Sequence, residues 1–330
     1  MHFCRRELAA LALIGSAIPL GAIASATEVS SPQRPVTLVI GYPPGGGTDI
    51  LARLLAKYME QELGQRMIVD YRPGAASNIG AQAVARATPD GYTVYLGGRP
   101  NTIHKTMYGH LKYDFSRDLV PVGLVATMPY VIVTGKHAPV ATVQDLIALA
   151  KAYPAALTCA SPGVGTSDHL LCEMLQQETG IQMVHVPYRG SAPALADVIA
   201  GRVDMHIASL PSALPHIAAG NLRAIAVMSR LRVPSVPHIP TIGESGLPGF
   251  DVESWYGLMA PAGTPPDAVA RLNRSINAVL ANRDLQEALI QLAYVAPLQP
   301  NTPESLRELI DEETERWTAI LQQRNIKPLH

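Results

Sequence analysis

The chain has 330 residues, 48% of them hydrophobic and 16% charged, with 26 glycines and 28 prolines. That length can fill two lobes that each bury a core, and the composition excludes long disorder. A formal charge of −1 supplies no global field for nucleic acid, so an anionic partner would have to be met by local donors.

Arg5 and Arg6 come first, an apolar run follows, and small residues at Ala24 and Ala26 close the segment. These are the three regions of a secretory signal peptide, 1–26, cut after Ala26. The run holds Gly15 and Pro19 and is short for a membrane span. Its removal takes away Arg5, Arg6 and Glu7, leaving 24 basic against 26 acidic side chains, a charge of −2. Residues 36–41 then read as a short buried strand running into the turn Tyr42-Pro-Pro-Gly-Gly-Gly47. Thr48 or Asp49 is placed to cap a helix that carries Ile50, Leu51, Leu54, Leu55 and Met59 on one side and stops at Gly64. A strand at 67–70, a helix at 78–87 and a strand at 92–96 complete three alternations, the pattern of a parallel α/β sheet.

A second α/β series starts near residue 125. Strands are expected at 131–133, 157–159, 183–186, 203–208 and 222–227, with helices at 142–152, from Asp168 to about Thr179, and at 192–200. Thr142 and Asp145 stand in capping-box positions. A Pro-rich loop at 234–248 separates this unit from a helical tail at 266–280, 284–292 and from Pro303 onward. The last helix carries Leu306, Leu309, Ile310, Trp317, Ile320 and Leu321 as an apolar stripe, which is expected to pack on the amino-terminal sheet. The chain would then leave lobe one, build lobe two and return, making a hinged cleft: lobe one from 27–128 plus 250–330, lobe two from 129–249.

Candidate binding residues cluster where strands hand over to helices. In the first turn, Pro44, Gly45, Gly46, Gly47, Thr48 and Asp49 offer backbone amides at a helix start, an arrangement that suits phosphate or carboxylate. Neither Gly-Lys-Ser/Thr nor Gly-x-Gly-x-x-Gly is present, which argues against a nucleotide. Ser161, Thr166 and Ser167 repeat the same physics in the second series, so two donor nests could hold an anion from both sides. Ser77 and Asn78 either cap a helix or line the cleft. Arg99 is either a counter-charge for the ligand or a solvated surface arginine. Asp204, at a strand end, would orient a donor, bind an amine or cap. Cys159 and Cys172 either pair or, as the favoured reading, are two buried small side chains.

Catalytic constellations are missing from the sequence. Ser167 and His169 stand two apart, the wrong spacing for a nucleophile and base on one helix face. No Gly-x-Ser-x-Gly elbow or His-Glu-x-x-His pair occurs, and His185 and His206 sit on apolar strands as core or edge histidines. An exported hydrolase is therefore the weaker alternative, and no metal or cofactor is expected.

Long segments carry a resemblance: YPPGGGTDILARLLA at 42–56, RPGAASNIGAQAVARATPDGYT at 72–93, HVPYRGSAPALADVIAGRVDM at 185–205, LPSALPHIAAGNLRAIAV at 210–227 and SWYGLMAPAGTP at 254–265. The chain resembles the Bug family, the periplasmic solute-binding receptors of tripartite tricarboxylate transporters. The resemblance implies a Venus-flytrap-like, two-lobed α/β receptor in the periplasm that binds a carboxylate and delivers it to a membrane permease or, as a variant, signals to a membrane sensor kinase. It places the ligand carboxylate at Pro44 to Asp49, the opposing loop at Ser161 to Ser167 with His169 following, and the family's aspartate at Asp204. The chain departs from the family pattern at Gly97-Gly98-Arg99-Pro100-Asn101, at Ser209 where relatives often carry asparagine, and at Cys159 where tyrosine is common.

Overall fold

The structure, a computed structural model, describes residues 34–109, 111–248, 250, 252–297, 299–323 and 326. The expected signal peptide at 1–26 lies outside the described residues. The first series holds β1 (Val36–Ile40), α1 (Gly47–Leu63), β2 (Met67–Tyr71), α2 (Asn78–Ala85) and β3 (Thr93–Gly98). Short helices α3 (Arg99–Thr102), α4 (His104–Met107) and α5 (Phe115–Asp118) lead into the long strand β4 (Leu119–Gly135). The second series follows as α6 (Val143–Ala152), β5 (Thr158–Ser161), α7 (Ser167–Thr179), β6 (Val184–Pro187), α8 (Ser191–Ile199), β7 (Met205–Ser209), α9 (Leu210–Ala218) and β8 (Leu222–Val227). The chain ends with β9 (Glu253–Pro261), α10 (Pro266–Leu280), α11 (Arg283–Gln291) and α12 (Pro303–Gln323).

The strands run in the order β2-β1-β3-β9-β4-β7-β5-β6, with β8 also on β4. β1, β2 and β3 are parallel, as are β5 with β6 and β7. The sheet is mixed rather than purely parallel, because β9 and β4 enter antiparallel to their neighbours. β4 pairs with β9 from Leu119 to Pro129, then with β7 and β8 from Tyr130 to Gly135. One strand therefore belongs to both halves of the molecule. The sequence expectation covered only 131–133 of it. The register shifts between Pro121 and Gly123 and again between Leu124 and Ala126, irregularities that accommodate Pro121 and Gly123.

The carboxy-terminal helices come back onto the first half. α10 lies against α1, and α12 packs on β4 and α3. Leu306, Ile310, Trp317 and Leu321 of the expected stripe are buried. Leu306 and Ile310 join Val39, Tyr95, Phe115 and Trp255 in one apolar cluster. The capping box forms on α6, where Asp145 N donates to Thr142 Oγ1 at 3.1 Å and Thr142 N to the Asp145 carboxylate at 3.0 Å. α1 differs from expectation: extended Gly46 is its cap, without a side-chain bond, because Asp49 folds back to accept the Gly45 amide at 2.8 Å.

Candidate functional site

The ends of β1, β3, β5 and β7 point their following turns into one space between the two halves. A small inner cavity of about 50 Å³ lies there, with Gly46, Gly47 and Thr48 on one side and Ser167, Asp168 and Ser209 on the other. Six helices of the described residues begin at it or beside it: α1 at Gly47, α2 after Ser77, the short α3 after Gly98, α7 at Ser167, α8 at Ser191 and α9 after Ser209. Their free amides and partial positive ends all favour an anion. Among the described residues no lysine or arginine lines the cavity.

The first turn is built for close approach. The buried Asp49 carboxylate accepts from Gly45 N and, at 2.7 Å, from the Tyr71 hydroxyl, with the Arg53 guanidinium 3.0 Å away. Asp49 is thus spent on shaping the turn. Gly45 has φ +93, and a Cβ there would lie 3.0 Å from Ala192 Cβ across the cleft. Thr48 lines the cavity, its hydroxyl 3.4 Å from that of Tyr256. The other two turns of the first half resolve the sequence alternatives. Ser77 reaches the cavity, whereas Asn78 is buried behind it, donating to Ala75 O at 2.7 Å and accepting from Asn101 at 3.2 Å.

On the opposite side only part of the expected loop faces inward. Ser161 is turned into its own lobe, bonded to Gly163 and 2.6 Å from His185 Nε2. Thr166 caps α7, its hydroxyl donating to Gly163 O at 2.7 Å and accepting from His169 N at 3.4 Å. Ser167 lines the cavity with its buried Oγ free of any hydrogen bond of normal geometry, beside the Tyr130 hydroxyl. Cys159 and Cys172 form a disulfide, contrary to the favoured reading of two separate buried thiols, and the bridge closes a ring containing this whole loop.

Three expected site residues lie elsewhere. Arg99 follows Gly98 and precedes Pro100, which both line the cavity, but its own side chain turns the other way. It pairs with Glu313 at 2.9 Å, donates to Glu253 O and stacks on Trp317 at 4.6 Å. Asp204 sits at the amino-terminal end of β7, where its carboxylate accepts from Thr158 N and Oγ1, both at 2.7 Å. The cavity is at the other end of that five-residue strand, roughly 16 Å away at 3.3 Å per residue. His169 stacks on His185 at 4.1 Å between ring centroids and accepts from Gly165 N at 3.2 Å.

The stacked imidazoles make a pH prediction. Burial, followed by the repulsion of the neighbouring ring, holds His169 and His185 down to about 4, the neighbour of His185 being His206. In the unfolded chain both would titrate near 6.5. Between those values the unfolded state binds more protons, so the stability these rings contribute is complete above about pH 6.5 and is lost as pH falls toward 4. Urea midpoints should drop from pH 7 to pH 5, and the slope should shrink in His169→Phe.

Sequence reasoning missed the hydroxyls of Tyr42, Tyr130 and Tyr256, together with Ser191 and Ser254, all of which line the cavity. Burial pushes Tyr130 up to about 12 and raises Tyr42 and Tyr256 further, so all three remain protonated donors at neutral pH. A larger outer chamber of about 820 Å³ adjoins the inner one, sharing Tyr42, Pro43, Ser77 and Pro162 with it. The halves touch across it: the Tyr108 hydroxyl donates to Val164 O at 2.7 Å, and a Cβ on Gly190 would lie 2.5 Å from Pro43 Cγ. This is a shut arrangement.

Residues 51–326 match the model of the tripartite tricarboxylate transporter family receptor. The chain belongs to that family. Over 321 residues it is 40% identical to the UPF0065 protein in the tcbD-tcbE intergenic region of Pseudomonas sp. strain P51, covering 94% of this chain and 95% of that one. Protein BugT of Bordetella pertussis is 36% identical over 320 residues, 96% of this chain and 98% of its own. Among solved structures, R. palustris Rpa4515 with adipate superposes with a TM-score of 0.87 at 35% identity, covering 90% of this chain and 99% of that one. The receptor is therefore a two-lobed periplasmic solute-binding protein rather than an enzyme. Among the described residues no group of three or more histidines, cysteines and carboxylates could hold a metal.

Proposed function

We propose that this receptor captures a small carboxylate in the inner cavity and hands it to the permease of a tripartite tricarboxylate transporter. The observation that carries this reading is a cavity lined, among the described residues, by hydroxyls and helix amino termini without a lysine or arginine. Such donors satisfy a carboxylate one hydrogen bond at a time, each contributing about 1.5–3 kcal/mol before desolvation is subtracted. A few of them support micromolar capture. Gly46, Gly47, Thr48, Ser77 and Ser167 are the proposed contacts, with Pro44, Gly45, Asp49, Asn78, Ser161 and Thr166 shaping the turns that present them. Lobe one would be 27–128 plus 250–330 and lobe two 129–249, a division supported by the change of β4's partners after Pro129. Closure then favours the ligand-bound form because the ligand contacts both lobes only when they are shut.

Thermal-shift screening of the mature protein against mono-, di- and tricarboxylates tests the reading. A true ligand should raise Tm in a concentration-dependent way, by linkage. A library without a single stabilising carboxylate would overturn it. A membrane sensor kinase is the alternative reader of the closed surface; uptake by proteoliposomes containing the permease, dependent on the loaded receptor, separates the two.

A further inference from the structure

Among the described residues Asp168 is the only carboxylate that lines the inner cavity. It is 8% exposed and stands at the second position of α7. Its Oδ1 meets Nε2 of the fully buried His206 at 3.1 Å, which fixes the carboxylate in place. Its charge is felt by the hydroxyls of Tyr42, Tyr130 and Tyr256, whose ionisation it opposes. A site built only to receive a carboxylate gains nothing from this group. Two like charges in one enclosed space repel, and among the described residues no lysine or arginine in the lining offsets them. The cavity therefore has two chemically opposite parts: amide and hydroxyl donors at Gly46, Gly47, Thr48 and Ser77, and an anionic acceptor across from them.

Building on the carboxylate reading above, we infer that the ligand is a 2-amino carboxylate, with its carboxylate at the start of α1 and its ammonium on Asp168. The ammonium turns the repulsion into a charge-assisted hydrogen bond and, for a ligand with an uncharged side chain, leaves the loaded cavity carrying one net negative charge, the same as when empty. The remainder of the ligand extends into the adjoining outer chamber, past Ala75, Ala76 and Val164.

Calorimetry with matched acids tests the inference on the mature wild-type receptor: succinate, malate and aspartate; propionate, lactate and alanine; 4-methylpentanoate, its 2-hydroxy derivative and leucine. In the series that fits the outer chamber, the amino member should bind at least about tenfold more tightly than its bare counterpart, the gain of one charge-assisted bond. In Asp168→Asn that gap should close to within about threefold. An unsubstituted or 2-hydroxy acid binding as tightly as the amino acid would overturn the inference while leaving the carboxylate reading intact. Failure of all nine acids, amino or not, would count against the carboxylate reading itself. The comparison among wild-type ligands decides the matter even if the variant folds poorly.

Discussion

Valine at position 47 is expected to abolish tight ligand binding while leaving the protein folded. Gly47 is the first residue of α1 and has ordinary helical backbone, so a side chain there brings no conformational strain. What it meets first is Ser209, in the other half of the molecule. A Cβ at this position would sit 2.9 Å from Ser209 Oγ, 3.3 Å from Ser209 Cβ and 3.4 Å from Met128 Sδ. Ser209 closes β7, and its hydroxyl is already bonded to Ser212 at 2.7 Å, so it cannot simply turn aside. Valine also fills part of a cavity of only about 50 Å³. Overpacking of this kind costs about 1–3 kcal/mol, and under the proposed lobe division the cost falls on the shut form, since opening would separate Gly47 from Ser209. A loss of affinity of about a hundredfold should follow, with Tm of the unliganded protein within a few degrees of wild type. Calorimetry with any ligand that binds the wild type reads the effect; unaltered affinity would show that the glycine is not needed for closure.

Much of this site is legible in the sequence because its backbone requirements are local. Glycines that follow a strand and precede a helix announce an anion-accepting turn, and both such turns, at 44–49 and 161–167, reach the same space. Side-chain direction is a different matter. Ser161, Thr166, Ser167 and Asp168 are the polar side chains of one loop and helix start, yet Ser161 and Thr166 turn inward to hold the loop while Ser167 and Asp168 face the cavity. Nothing in their spacing separates the two pairs; the start of α7 does. Tyr130 and Tyr256 were invisible for a topological reason. They lie on β4 and β9, antiparallel strands whose pairing joins residues more than a hundred positions apart, with Ala126 opposite Tyr256. β9 itself, a buried run around Gly257, gave no period-2 signal because both of its faces are covered. Ser209 is the instructive middle case: its departure from the relatives marked it, and it lines the cavity.

Replacing Glu313 with alanine should cost about 3–5 kcal/mol of stability and leave ligand affinity unchanged. Glu313 lies on α12 and accepts from Arg99 Nε at 2.9 Å, both side chains being almost completely buried. Arg99 is also held by the carbonyl of Glu253 on β9 and by the face of Trp317. Its remaining nitrogen, Nη1, is buried without a partner, so the guanidinium has little hydrogen bonding to spare. Removing the carboxylate leaves a buried guanidinium without its counter-charge, and arginine cannot shed its proton to escape the penalty. Arg99→Ala leaves the glutamate a second partner, Arg316 Nη1 at 3.6 Å, so this variant should be the milder of the two. These outcomes separate the two roles that the sequence allowed for Arg99. A counter-charge for the ligand requires binding to weaken with its removal. A clamp joining α3, β9 and α12 requires urea midpoints to fall while calorimetric affinity stays level. The geometry supports the clamp: the backbone of Gly98 and Pro100 lines the cavity, and the charge between them is sent to the opposite side, where it fastens the returning carboxy-terminal helix beneath the site it helps to support.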